Sequence, residues 1–349
     1  MNFYKNRDDI SLTLPEVVGV RDIAPLISAL SEARAAQGNV ELDCSKVRFI
    51  DPFGMTALSA AISEVQAQKR RVALTWLDAK TVSYLERMNF FVDNDIDAVD
   101  VPVNRQRNDL RSKLLEITHI VDSGTSEAVA DQLAAAIVFM IIGRAEKTNN
   151  DQAIDLEYDQ YYRPLRYALS ELIENSLTHA RREGAHDASV WVAAQFYKDA
   201  LVGGRVEVAV VDNGCGFLAT LKNHAELPEN THGAAIKTAL KPKVSCNRDM
   251  GPFGESVNEG VGLTTTVRIS KETGGTVHIV SGDALFAENL AIATKRSDQI
   301  KVLPGCWDGV AISVTFTGAK LPSVKISDLL PPVGEAKQVK VPVVLRFDE

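Results

Sequence analysis

An apolar strand, Arg205 to Val211, runs directly into Asp212-Asn-Gly214-Cys-Gly216-Phe217, and this junction restricts the backbone more than any other stretch of the chain. Glycines at i and i+2 let the main chain turn sharply and approach a ligand closely. A carboxylate at the end of a strand can accept a hydrogen bond from an amino group while it stays ionised. In isolation the same residues also fit a calcium-loop fragment or an ordinary turn.

Two further segments flank this one. The helix pattern Glu171-Leu-Ile-Glu174-Asn175-Ser-Leu-Thr-His179-Ala180 places Glu171 and Asn175, and again Asn175 and His179, on one face. An amide oxygen there can ligate Mg²⁺ and a glutamate can orient or deprotonate a water. Alone, these residues read equally well as the wet face of an amphipathic helix. Downstream, Asn258-Glu-Gly260-Val-Gly262-Leu263 opens a helix. Glycines at a helix N-terminus expose N–H groups and the positive end of the dipole, which suits phosphate. A lone G-x-G is weak evidence.

The rest of the chain sets the frame. Residues from about 10 to 92 alternate short strands (Val40–Asp43, Val72–Leu77) with helices over Asp22–Gln37, Gly54–Lys69 and Thr81–Met88, the pattern of a small α/β layer structure. The helix at Gly54–Lys69 places Leu58, Ala61, Ile62 and Val65 on one face. Residues 93–112 are polar and irregular and mark a boundary. A strand at Leu114–Val121, a long buried helix at Thr125–Glu146 and a second helix at Tyr161–Arg182 follow, with Pro164 admissible only near the first turn. Strands at Ser189–Tyr197 and Arg205–Val211 form a hairpin through Gly203-Gly204. Residues 218–259 read as a disordered segment or a lid. A helix at Leu263–Glu272 and strands at Thr276–Ser281 and Val310–Phe316 complete the pattern.

Composition excludes some classes. The formal charge of −8 over 349 residues argues against non-specific nucleic-acid binding, which needs clustered Lys and Arg. The apolar run Leu133–Ile142 is too short to span a membrane. Cys44, Cys215, Cys246 and Cys306 form no C-x-x-C pair, so neither zinc nor a disulfide framework is indicated. With a polar N-terminus, the chain reads as cytoplasmic.

Taken in order, the three segments resemble the N, G1 and G2 boxes of the GHKL (Bergerat) ATP-binding family, over about residues 113–317. That family includes DNA gyrase, heat-shock chaperones, mismatch-repair ATPases, histidine kinases and anti-sigma-factor serine kinases. The resemblance implies an α/β fold of α+β two-layer sandwich type with ATP and Mg²⁺ as cofactors. It implies that Asn175 holds Mg²⁺, that Asp212 binds the adenine amino group, and that Gly214 and Gly216 shape the adenine pocket. Gly260 and Gly262 would let the chain wrap the phosphates, and Glu171 sits where hydrolytic members place their general base. Gly309-Val310 stands where several members carry Gly-Thr, which puts one adenine contact in doubt. The layout is closest to the anti-sigma serine kinases. A histidine kinase would need a phosphoacceptor on a dimerising helix, and neither His119 nor His186 has that setting.

Residues 10–92, with Ile50-Asp51-Pro-Phe-Gly54-Met55, resemble a STAS domain, the fold of anti-sigma-factor antagonists. Pro52 and Phe53 stand where the usual phosphorylatable hydroxyl would be, and Ser45 and Thr56 are the nearest hydroxyls. Such a domain implies a docking or dimerising surface, compatible with a protein partner or a homodimer. The expected organisation is a STAS-like domain over 1–100, a linker over 101–112, a Bergerat-type domain over 113–317 and an extension over 318–349. The expected function is an ATP-binding regulatory protein that hydrolyses ATP slowly; a serine/threonine kinase or a binding adaptor without turnover are the alternatives.

Overall fold

A computed structural model of the protein describes residues 7–92, 94–97, 114–145, 155–181, 183–185, 187–198, 204–241, 244, 262–289 and 300–317. The N-terminal elements are β1 (Ile10–Thr13), β2 (Val17–Val18), α1 (Ile23–Ala35), β3 (Val40–Asp43), β4 (Phe49–Ile50), α2 (Pro52–Ala67), β5 (Val72–Thr75), α3 (Ala79–Arg87) and β6 (Ile96–Asp97). Strands β1, β3, β5 and β6 form a parallel sheet in that order, while β2 pairs with β4.

The C-terminal elements are β7 (Leu114–Ile120), α4 (Ser123–Ile142), α5 (Leu156–Ala180), β8 (Val190–Tyr197), β9 (Arg205–Asp212), α6 (Gly216–Leu221), α7 (His232–Ala239), α8 (Gly262–Glu272), β10 (Thr276–Asn289) and β11 (Ile300–Thr317). The sheet order is β10-β11-β9-β8-β7, antiparallel throughout.

This second sheet is buried on both faces, and the alternation of side chains along a strand decides what each face meets. Val190, Val192, Val208, Val210, Ile312 and Val314 pack against Leu133, Ile137, Leu169 and Ile173 of α4 and α5. Trp191, Ala193, Ala209, Val211 and Ala311 point the other way, into one core with α1 and α2 of the N-terminal region. The small residues on that face admit α2 closely.

Helix α2 therefore differs from its expected form. Beyond Leu58, Ala61, Ile62 and Val65, it also buries Phe53, Met55, Ala57 and Ala60 completely. A helix apolar all round is one covered all round, here by its own domain and by the second sheet. Asp51 caps it by accepting from Gly54 N at 2.8 Å. Thr56 is fully buried and donates to Pro52 O at 2.8 Å, so its hydroxyl is inaccessible for modification.

Other boundaries also shift. Helix α4 begins at Ser123 rather than Thr125, because Asp122 accepts from Thr125 N at 2.9 Å. Helix α5 begins at Leu156, so Pro164 lies well inside it and not in its first turn. That early start is held by the Asp155 cap and by Arg144, which pairs with Asp155 at 2.6 Å and Glu157 at 2.7 Å. Residues 218–241 are not the disordered segment that is one of the expected readings, and nearly all of 242–259 lies outside the described residues. The former stretch contains most of α6 and all of α7, whose Ala235 and Ile236 are fully buried and whose cap is Thr231. Strands β10 and β11 run well beyond Ser281 and start well before Val310, pairing out to Phe286 and Ile300 across two register shifts. Most of the expected boundary at 93–112 and all of 318–349 lie outside the described residues. Among the described residues, no helix is long and apolar enough to cross a membrane.

Candidate functional site

A cleft opens between the C-terminal half of α5, the turn after β9, α6, α7 and the start of α8. Its walls are mostly apolar: Leu172, Phe217, Leu221, Leu263, Val310 and Ile312 line it with Ala239 and Val244. Its polar groups are few, chiefly Asn175, Ser176, His179, Asp212 and Thr220. An apolar cleft with a small set of convergent polar groups is the usual form of a small-molecule site.

Asp212, the last residue of β9, is 3% exposed. Among the described residues, Gly214 N at 3.0 Å and Val310 N at 3.1 Å both donate to its Oδ1. Burial raises its pKa to about 7, although these two donors act the other way. The main-chain carbonyl of Asp212 accepts from Trp307 Nε1 at 2.9 Å.

The glycines around it are fixed by close approach. A Cβ at Gly214 would lie 2.3 Å from Ala180 Cα, where the turn crosses the end of α5. Gly216 adopts φ +71, and a Cβ there would lie 2.4 Å from Asp308 O. Cys215 N donates to Ala180 O at 3.3 Å, which ties the turn to α5. Ser281 Oγ joins the neighbouring strands to this turn: it accepts from Phe217 N at 3.1 Å and donates to Gly309 O at 3.0 Å.

The structure brings Asn175, Asp212 and Gly216 to one cleft. Gly214 shapes the cleft from behind, against Ala180. Glu171 lies one helical turn before Asn175, half-buried, and is not part of the lining. Its neighbour Glu174 turns to α4, where its Oε2 accepts from Ser126 Oγ at 2.8 Å. Gly262 opens α8, while Gly260 lies outside the described residues. Of the basic side chains in the segment 218–259, Lys237 is exposed and Lys241 pairs with Glu226 at 3.3 Å; Lys243 and Arg248 lie outside the described residues.

The apolar walls extend beyond the residues that the sequence motifs single out. Leu172, Ser176 and His179 were legible, because they follow the same helical face as Asn175 at spacings of three and four. Phe217, Thr220 and Leu221 required knowing that a helix follows the glycine turn. Val310 serves in two ways. Its N–H holds Asp212, and its side chain supplies wall where a threonine hydroxyl would otherwise reach.

Among the described residues, no group of three His, Cys, Asp or Glu side chains could hold a metal. A hard cation here would take one oxygen from Asn175 and the rest from its ligand and water, the usual habit of Mg²⁺ beside phosphates. The donor set fits that group.

Residues 161–298 match the sequence profile of the histidine kinase-, DNA gyrase B-, and HSP90-like ATPases, and residues 23–98 match that of the STAS domain. No curated protein and no solved structure matches the chain. The chain thus joins a STAS domain to an ATP-binding domain of the GHKL type.

Proposed function

We propose that the protein binds ATP in this cleft, hydrolyses it slowly with Mg²⁺, and couples the nucleotide state to a protein partner. One observation carries the reading: a buried carboxylate, Asp212, receives two main-chain N–H groups on a single oxygen at the edge of an apolar cleft. Among the described residues no donor is recorded on its second oxygen, Oδ2, which is proposed to accept from a ligand. Adenine supplies such a donor in its exocyclic amine, and its flat apolar faces suit walls made by Leu172, Ile312 and Phe217.

Asn175 lies on the same lining and is the proposed oxygen ligand for Mg²⁺, which when bound offsets the charge of the phosphates. Gly260 and Gly262, before and at the start of α8, are proposed to admit the phosphates to the helix N-terminus. Glu171 is proposed as the group that takes a proton from the attacking water.

The test is phosphate release from Mg²⁺-ATP by wild type and Glu171→Ala, after binding has been measured for both. The reading expects equal affinity and loss of release in the variant. Equal release in both removes Glu171 from its role. Binding without release in wild type replaces hydrolysis with phosphotransfer to a partner or with a nucleotide-gated adaptor.

A further inference from the structure

The STAS domain meets β11, the strand that supplies Val310 and Ile312 to the cleft, partly through Arg34. Arg34, on α1, is almost fully buried, with 9% of its side chain exposed. It pairs with Glu64 of α2 within its own domain and reaches across to Asp308 of β11 at 2.7 Å. Its guanidinium lies 4.8 Å from the centroid of the Trp307 ring, a cation–π stack on a fully buried indole. The Nε1 of the same indole donates to the main-chain carbonyl of Asp212 at 2.9 Å.

The contact is close on the backbone as well. A Cβ on Gly305 would lie 2.7 Å from Ser28 Cα and 2.8 Å from Ile27 O, so β11 touches α1 main chain to main chain. Cys306 N donates to Ser31 Oγ at 3.1 Å. Between Trp307 and Val310 the pairing with β10 slips, Gly282 facing Trp307 and Ser281 facing Val310. The residues skipped, Asp308 and Gly309, form a bulge, and such bulges re-aim side chains beside functional sites. Here the bulge sets Trp307 under the carbonyl of Asp212 and Val310 N against its carboxylate, while Gly309 leaves no room for a Cβ, which would lie 2.1 Å from Asp212 O.

From this chain of contacts we infer that Arg34 and Trp307 are positioning residues for nucleotide recognition, and that docking of the STAS domain sets how well Asp212 discriminates adenine. The inference rests on the reading of Asp212 as the adenine-binding carboxylate. Coupling of this kind is reciprocal: ATP must strengthen docking of the STAS domain by the same factor by which docking strengthens ATP binding.

The experiment uses the full chain and compares ATP with purine riboside triphosphate, which lacks the exocyclic amine. The variants are Trp307→Phe, which keeps an aromatic face, though a smaller one, but deletes the N–H donor; Arg34→Met, which keeps bulk but deletes the stack and the ion pairs; Asp212→Asn; and Arg87→Met. Arg87 pairs with Glu116 at another part of the same interface, away from the cleft. The inference expects the preference for ATP over the analogue to fall about fivefold in Trp307→Phe and Arg34→Met, the range of one net hydrogen bond. The affinity for the analogue itself should hold, and Arg87→Met should keep the full preference.

A preference unchanged in both Trp307→Phe and Arg34→Met overturns the inference, as does a parallel fall in affinity for both nucleotides, the mark of a merely structural role. If Asp212→Asn loses the preference while those two variants keep it, the positioning role alone has failed. If wild type shows no preference, or Asp212→Asn retains it, the adenine reading has failed and the inference with it. Should Arg34→Met not fold, Trp307→Phe decides the matter alone.

Discussion

The two faces of the antiparallel sheet are covered in opposite ways. On one, Val, Ile and Leu side chains meet α4 and α5, contributed by the adjoining chain, and the gap left at the end of that layer is the candidate cleft. On the other, alanines at 193, 209 and 311 meet α2, an element contributed by a separate domain. The large-residue face is an ordinary two-layer core. The small-residue face is an interface that depends on close approach, and it buries charge: Asp51 of the STAS domain and Glu207 of β9 are both almost wholly inaccessible. Burial raises the pKa of each, Asp51 to about 6 and Glu207 to about 8, and the charge of Asp51 raises Glu207 further. Ser313 Oγ, 3.2 Å from Glu207 Oε1, and the charge of Arg205 act the other way.

The first way to break the comparison is through pH. A carboxyl with a raised pKa holds, in the folded chain, a proton that the unfolded chain has released. For Glu207 the folded state therefore binds more protons between 4.5, its ordinary value, and about 8. Stability falls as pH rises through that window, by an amount on the order of a few kcal/mol, and is highest below it. Glu207→Gln should reduce this slope in urea denaturation series from pH 5 to pH 9, most clearly above pH 7, leaving the smaller contributions of Asp51 and Asp212; an unchanged slope would remove Glu207 as a source.

Size is the second way. Ala209→Leu overfills the interface and should cost about 1–3 kcal/mol, with the thermal transition broadening or splitting as α2 is pushed from the sheet. On the opposite face Val208→Ala should cost about 2 kcal/mol by leaving a cavity, with a single transition retained. Calorimetry of both variants distinguishes the two responses. The smallest effect is expected at the partly exposed Arg87–Glu116 pair: Arg87→Met should cost no more than about 1 kcal/mol by chemical denaturation.

The same contrast explains what the sequence made legible. Asp212, Gly214 and Gly216 stood out because a strand ending in a carboxylate and two glycines has few local explanations. The face of α5 could be read from spacing alone, and Asn175 carried with it Leu172 and His179. The second buried face of α2 was written in Phe53, Ala57 and Ala60, on the side away from Leu58, Ile62 and Val65. The second sheet, through β8 and β9, is what packs against α2 beyond its own domain. Helix α7 was hidden because its polar flanks resemble a loop, although Thr231 before Ala234-Ala235-Ile236 is a capping signal. The role of Trp307 was not legible at all, since it depends on a bulge that places residue 307 beside residue 212.

Everything proposed for the cleft depends on Asp212 as the acceptor for adenine. With its pKa raised to about 7, protonation of Oδ2 should replace that acceptor with a donor, so ATP affinity should fall as pH drops below 7. The most direct measurement is therefore equilibrium binding of Mg²⁺-ATP to wild type and Asp212→Asn at pH 8, with circular dichroism confirming that both are folded. The account predicts micromolar-class binding by wild type and a loss on the order of tenfold to a hundredfold in the variant, the range for a hydrogen bond to a charged group. Equal affinity in the two proteins would contradict it and leave the cleft without its adenine-reading residue.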